Sequence, residues 1–151
     1  MKTIFLLSIS LFLLACSDDD SAPVEDLTEL ELSLINGSPW EFENAEFVSE
    51  ETNEQGLSED SMLQESNDQM NSVSLDFNNN RTVSISGSNS QVTYDFTASN
   101  GKMVFTSSGD EIGTLTSVEV GQDELSYIDT FTDENNNSQT TIWKARLFFT
   151  N

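Results

Sequence analysis

Residues 73–97 read VSLDFNNNRTVSISGSNSQVTYDFT and carry the clearest sequence evidence for the fold class. It holds three short segments in which apolar and polar side chains alternate: VSLDF, TVSIS and QVTYDFT. A period of two places every second side chain on one face, which is typical of a half-buried β-strand. The segments are separated by NNN at 78–80 and SGSNS at 86–90, and such residues favour tight hairpins. The stretch therefore predicts three antiparallel strands.

The same pattern continues on both sides of this stretch. One alternating segment runs from Trp40 to Val48, and four follow residue 97: KMVF, IGTLTSVEV, ELSYIDTF and TTIWKARLFF. Short turns rich in Gly, Asn and Asp separate the later segments at 99–101, 107–110, 121–123 and 133–137. Eight strands joined by such turns have antiparallel neighbours and can close without an exposed edge. We predict an all-β domain at 39–151, an eight-stranded antiparallel up-and-down barrel, with a β-sandwich as the alternative.

A helical period precedes the strands. Leu27, Leu30 and Leu34 fall on one helical stripe, and Asn36 with Gly37 is a plausible stop. We expect a short N-terminal helix that closes one end of the domain.

The N-terminus has the layout of a secretory signal. Lys2 is followed by an apolar run from Ile4 to Leu14 and by the small residue Ala15. The run is shorter than the roughly 20 apolar residues that a membrane-spanning helix needs. We therefore interpret 1–15 as a cleaved signal peptide, followed by an acidic tether and the helix at 16–38.

The residues around the chain's one cysteine resemble a lipoprotein motif. Leu13-Leu14-Ala15-Cys16 is similar to the lipobox of bacterial lipoproteins, which implies that Cys16 is the lipidation site and the membrane anchor. A buried structural cysteine is the alternative. Asp18, Asp19 and Asp20 resemble the acidic export signal of lipoproteins in some Gram-negative bacteria. That resemblance implies a lipid-anchored protein on the outer face of the outer membrane; the triplet also suits a solvated tether.

Composition limits the possible functions. The chain has 5 basic and 27 acidic residues, a net charge of −22, which repels phosphate backbones and makes us expect no nucleic-acid partner. It has no histidine, and Cys16 is assigned to lipid, so the usual zinc and copper ligands and the commonest general base are missing. We predict no catalytic residues, no metal and no cofactor, and hence a protein that is not an enzyme.

The barrel pattern resembles the lipocalin-like lipoproteins and, more broadly, the lipocalin and fatty-acid-binding barrels. The resemblance rests on the strand meander, on Gly37 and Trp40 at the entry to the first strand, and on a basic residue in the last strand, Lys144 or Arg146. It implies that Trp40 lies at the closed end and that Arg146 packs over its ring as a cation–π contact.

Residues 49–71 form an acidic insertion between the first two strands. The segment is far longer than a hairpin loop, and its composition predicts disorder. In the lipocalin-like barrels the same connection lies over the open mouth, so a lid is the alternative. Because the inward-facing candidates are bulky aromatics, we expect a mostly filled interior with at most a shallow pocket beside 49–71.

Two carboxylates stand out among the many in the chain. Asp95 and Asp129 lie in or beside aromatic-rich strands, and solvated strand positions explain both. Asp129 shares a face with Tyr127, however, and on an inner face it would require Lys144 or Arg146 as a partner. The loops DFNNNR and DENNNSQ faintly resemble calcium sites, but hairpin turns explain them better.

These observations favour a non-catalytic binding module for a small apolar ligand or a protein partner. We expect a monomer anchored to the membrane through its N-terminal lipid. The alternatives are a carboxylate-dependent glycan hydrolase, which would need two carboxyls at a set separation, and a structural protein of the cell envelope. No spacing in the sequence singles out such a carboxylate pair.

Overall fold

The computed structural model describes residues 26–87 and 90–151, and its eight strands close into an antiparallel barrel in chain order. The predicted all-β, up-and-down architecture is confirmed, and the strands do not divide into the two sheets of a sandwich. The elements are α1 Glu29–Asn36, β1 Trp40–Asn53, α2 Glu59–Met70, β2 Ser74–Phe77, β3 Thr82–Ser86, β4 Gln91–Ser99, β5 Lys102–Ser107, β6 Asp110–Val120, β7 Glu124–Glu134 and β8 Thr140–Thr150.

Strand β8 shows how the alternating sequence builds the core. Its odd-numbered residues Trp143, Ala145, Leu147 and Phe149 are fully buried, and its even-numbered residues are only partly covered. The buried set faces the barrel interior, where it meets the inner faces of the other strands. Of the bulky aromatics at inward strand positions, Phe77, Phe96, Tyr127 and Phe131 are buried, whereas Tyr94 and Phe105 are partly buried and pack against the core.

Helix α1 closes one end of the barrel, as the sequence predicts. A capping box starts it: the Thr28 side chain accepts from the Glu31 N–H, and the Glu31 carboxylate accepts from the Thr28 N–H. Leu34 is fully buried, and its carbonyl accepts a hydrogen bond of 2.8 Å from Nε1 of Trp40. The helix is thereby fixed above the first residue of β1.

The insertion at 49–71 is ordered, so the expectation of disorder is wrong. Strand β1 continues to Asn53, and the Ser58 side chain caps α2 by accepting from the Ser61 N–H. Met62 and Ser66 of α2 are buried. The acidic composition places solvated side chains on one face of the helix, while its few apolar residues contact the barrel.

Helix α2 fills a seam between β1 and β2. These two strands pair only at Trp40 with Leu75 and at Glu41 with Ser74, whereas β1 pairs with β8 along its whole length. Beyond this short ladder, the Ala45 N–H donates to Oδ1 of Asn67 on α2, at 3.1 Å. The helix thus satisfies backbone that a longer β2 would have paired, and it bounds the half of the barrel away from α1.

Candidate ligand-binding site

A pocket of about 210 Å³ opens inside the barrel where α2 ends. Six of the side chains that line it are apolar, and only a phenol and a carboxyl are polar. The lining residues are Met70, Val73, Leu75, Ile85, Phe105, Leu115, Tyr127 and Asp129. The pocket lies beside the 49–71 insertion, at the position that the sequence predicts.

Alternation on each strand directs these side chains inward. Leu75 of β2 and Ile85 of β3 are register partners, so they lie side by side on the inner face. On β7 the inner face carries Tyr127 and Asp129, two residues apart. The Tyr127 ring is held by stacking on Phe149, with ring centroids 5.3 Å apart. Six of the eight lining residues therefore lie on strands.

Asp129 places a carboxyl group in this apolar lining. Its Oδ1 accepts a hydrogen bond of 2.7 Å from the Thr130 N–H. Burial raises the pKa of Asp129 above its usual value, and the hydrogen bond from Thr130 offsets only part of that effect. Among the residues that the structure describes, no cation forms an ion pair with this carboxyl.

The expected partners of Asp129 lie on the outer face of the barrel. Lys144 pairs with Glu51, and Arg146 contacts the Ser126 hydroxyl at 3.2 Å and the Glu119 carboxylate at 3.9 Å. Both cations occupy even-numbered positions of β8, which point away from the interior. An inward carboxyl and an outward cation cannot meet across the barrel wall.

Tyr127 adds a hydroxyl group to the same lining. Its side chain is only 3 % exposed, and burial, with the charge of Asp129 as a second cause, raises the pKa of the phenol. The hydroxyl therefore stays protonated. The Tyr127 hydroxyl makes no hydrogen bond within 26–87 and 90–151. Every fully buried polar side-chain atom in these residues has a hydrogen-bond partner, so this hydroxyl is not fully buried and opens onto the pocket. The site thus offers a free hydroxyl beside a partly buried carboxyl.

The lining of the pocket provides a single carboxyl group. Asp129 is its one carboxyl, whereas glycoside hydrolysis uses two carboxyls on either side of the scissile bond. Asp95, the other carboxylate that the sequence singles out, is exposed on β4 and does not line the pocket. The described part of the chain holds no group of three side chains suited to a metal ion.

The two Asn-rich loops form hairpin turns. In the loop after β2, the Arg81 N–H donates to the Asn78 carbonyl at 3.0 Å. In the loop after β7, Oδ1 of Asn135 accepts from the backbone N–H groups of Asn137 and Gln139. The amide side chains are thus used within the turn, as the hairpin interpretation predicts.

Trp40 lies at the closed end of the barrel, but the structure does not bring Arg146 to it. Trp40 is fully buried beneath α1, whereas Arg146 lies on the outer surface with Ser126 and Glu119. The ring of Trp40 packs instead against Gly37, where a Cβ would overlap three of its ring atoms. A glycine is therefore required at position 37, because the indole of Trp40 leaves no room for a side chain there.

The other predicted site residues lie outside the described part of the chain. These are the lipidation site Cys16 and the export triplet Asp18, Asp19 and Asp20. Within the described residues, no helix is long and apolar enough to cross a bilayer.

Sequence reasoning did not identify Met70, Leu75, Ile85 and Leu115 as pocket residues. Their strand parity marks Leu75 and Ile85 as inward, but parity does not tell which inward positions leave space. The space depends on how α2 packs against the barrel, where Asn67 accepts from the Ala45 N–H and Ser66 accepts from Nε1 of Trp143, and these contacts have no sequence signature.

Comparison with protein families, with curated proteins and with solved structures finds no match for this chain.

Proposed function

We propose that this protein is a non-catalytic module that binds a small, largely apolar ligand inside the mouth of its barrel. The observation that carries the proposal is the apolar pocket beside α2, with Tyr127 and Asp129 as its polar groups. Sites for small molecules are usually apolar pockets with a few polar groups that orient the ligand. The resemblance to the lipocalin-like lipoproteins supports the same assignment.

The size of the pocket limits the size of the ligand. Its volume is about 210 Å³. An apolar cavity of about 150 Å³ holds benzene, whereas drug-sized ligands occupy about 300–1,000 Å³. A molecule with one ring or a short chain fits, and a long fatty acid does not. Because so few atoms can be buried, we expect a dissociation constant no tighter than micromolar.

The proposal includes an anchor on the outer membrane. The lipobox-like Leu13–Cys16 segment supports lipidation of Cys16, and the three chains of such a modification anchor a protein stably because each buried methylene adds about 0.8 kcal/mol. Asp18, Asp19 and Asp20 support export to the cell surface. The barrel would then lie outside the cell, joined to the membrane by the short acidic tether.

Filling the pocket tests the binding function. Ile85→Trp adds a large ring at the pocket wall, and Ile112→Trp makes the same change at an exposed position of β6 that does not line the pocket. Titration with a solvatochromic aromatic probe should show micromolar binding to the unaltered protein and to Ile112→Trp, and at least tenfold weaker binding to Ile85→Trp. Equal binding by both variants would remove the pocket from the proposal.

The anchor has a separate test in cells. Cys16→Ser should abolish labelling by a radioactive fatty acid and leave the precursor uncut, because Cys16 is the one thiol in the chain. Mature-sized, unlabelled protein from this variant would contradict lipidation. Replacing Asp18, Asp19 and Asp20 by alanine should reduce cleavage by external protease in intact cells; unchanged cleavage would leave the triplet as a tether only.

A further inference from the structure

Asp129 has no counter-charge in the pocket that it lines. The neighbouring lining residues from α2, β2, β3, β5 and β6 are all apolar, and Tyr127 is the one other titratable group that faces the pocket. The carboxyl accepts the Thr130 N–H and makes no further hydrogen bond within 26–87 and 90–151. One carboxylate oxygen is therefore left for a ligand.

An apolar wall is a poor environment for an isolated carboxylate. Removing the charged form from water is costly unless a cation or several donors replace the lost hydration. A hydrocarbon ligand would be better accommodated by an apolar residue such as Leu at this position. A ligand that carries a positive charge turns the same carboxyl into a favourable contact, because charge-assisted hydrogen bonds are about twice as strong as neutral ones.

We infer that the ligand is a small organic amine, whose ammonium group pairs with Asp129 while its ring or short alkyl chain packs on the apolar wall. The inference rests on the proposed function, since it assigns the ligand class of the same pocket. Tyr127 precedes Asp129 by two residues on the same face of β7, and its hydroxyl supplies a second polar contact for the ammonium group.

The charge of the whole chain favours the same class of ligand. A net charge of −22 produces a negative potential around the protein, which concentrates cations and repels anions near the surface. Helix α2, which ends at the pocket, contributes Glu59, Asp60, Glu65 and Asp68. A carboxylate ligand such as a fatty acid would approach against this potential and then meet Asp129.

Three probes of nearly equal size separate the possibilities. 2-Phenylethylamine, 2-phenylethanol and phenylacetate share an aromatic ring and differ in charge. We would titrate each into the purified full-length protein by calorimetry at pH 7.5 and 150 mM salt, and into Asp129→Asn. The amine should bind at least tenfold more tightly than the alcohol, as expected for a contact to a charged group, and phenylacetate should not bind. In Asp129→Asn, the amine and the alcohol should bind within about twofold of each other.

The outcomes distinguish this inference from the proposed function. If the alcohol binds the unaltered protein as tightly as the amine does, the pocket binds ligands but the inference is wrong. If the amine keeps its advantage in Asp129→Asn, it is recognised elsewhere, and the inference is again wrong. If none of the three binds, both proposals fail.

A pH series on the unaltered protein gives an independent check. Protonation of Asp129 removes the negative charge, so acidification should weaken binding of the amine and leave binding of the alcohol unchanged. Tyr127, the other titratable group in the lining, is neutral at pH 7.5 and stays neutral as the pH is lowered. Parallel changes for the two probes would contradict a role for Asp129.

Discussion

The carboxylate of Glu31 on α1 lies 3.2 Å from Nη2 of Arg81, in the turn between β2 and β3. The Glu31 side chain is 2 % exposed, and its oxygens also accept the backbone N–H groups of Thr28 and Ala98. One side chain therefore caps α1 and joins the helix to two hairpins. Burial alone would raise the pKa of Glu31, but these hydrogen bonds and the charge of Arg81 hold it below its usual value.

Glu31→Ala should destabilise the protein by roughly 3–5 kcal/mol, the range for removing one partner of a buried ion pair. Glu31→Gln should cost less, because its amide oxygen still accepts one of the N–H groups. Glu29→Ala changes an exposed residue two positions earlier in the same helix and should cost under about 1 kcal/mol. The free energies of unfolding come from urea titrations.

The same carboxylate predicts a pH effect. A lowered folded pKa gives stability that is present above the unfolded pKa, about 4.3 for Glu, and is lost as the pH falls through the folded value. The unaltered protein should therefore lose its advantage over Glu31→Gln as the pH falls below about 4.3. A constant difference between the two proteins from pH 7 to pH 2.5 would contradict this account.

Gly37 and Trp40 should behave as one unit. Trp40→Ala should cost about 3–5 kcal/mol, the range for deleting a buried aromatic side chain. Gly37→Ala should also destabilise, because the added Cβ overlaps the indole ring. In a double-mutant cycle with Trp40→Phe, whose smaller ring leaves room, the cost of Gly37→Ala should fall by more than about 0.5 kcal/mol. Additive costs would remove the proposed overlap.

Arg146 provides the contrasting cycle. Because Trp40 is inside the barrel and Arg146 is outside it, their substitutions by alanine should be additive within about 0.5 kcal/mol. A larger coupling energy would restore the cation–π contact that the sequence suggests.

A buried hydrogen bond joins helix α2 to β8. Nε1 of Trp143 donates to Oγ of Ser66 at 2.9 Å, and both side chains are fully buried. Ser66→Ala leaves the indole N–H without its acceptor and should cost about 1–3 kcal/mol. Hydrogen exchange should show faster exchange of the Ala45 N–H, which α2 covers through Asn67. Ser61→Ala, an exposed change on the same helix, should leave that amide protected.

Much of this fold follows from periodicity. The alternation in β8, together with short Asn- and Gly-rich turns, suffices to predict antiparallel neighbours and a closed barrel. The alternation and the turns are local or nearest-neighbour properties of the chain, so the sequence carries them directly. The position of Trp40 at the closed end, which the resemblance to the lipocalin-like barrels implies, also agrees with the structure.

The insertion and the pocket depend on contacts between distant residues. The composition of 49–71 indicates disorder, yet Met62 and Ser66 find burial against β1 and β8, and that outweighs the acidic exposed face. The inward orientation of Asp129 follows from parity. The lack of a partner for it depends on the outward parity of Lys144 and Arg146, which the alternation within β8 already indicates.

We expect the Asp129 carboxylate to lower the stability of the protein at neutral pH, because burial raises the pKa of this group. The native pKa of Asp129 is raised by burial, whereas the unfolded value is about 3.9. The folded state therefore binds the proton more tightly, so stability falls as the pH rises from about 3.9 through the folded pKa. Asp129→Asn keeps an oxygen for the Thr130 N–H but carries no charge.

Asp129→Asn should therefore melt at a higher temperature than the unaltered protein at pH 7, and the difference should vanish below about pH 3, where Asp129 is protonated in both states. Thermal denaturation followed by circular dichroism across this pH range measures it. Asp95→Asn removes one charge from the exposed face of β4 and corrects for the change in net charge. If both variants shift the melting temperature equally at every pH, the effect comes from net charge, and burial of the Asp129 carboxylate does not destabilise the protein.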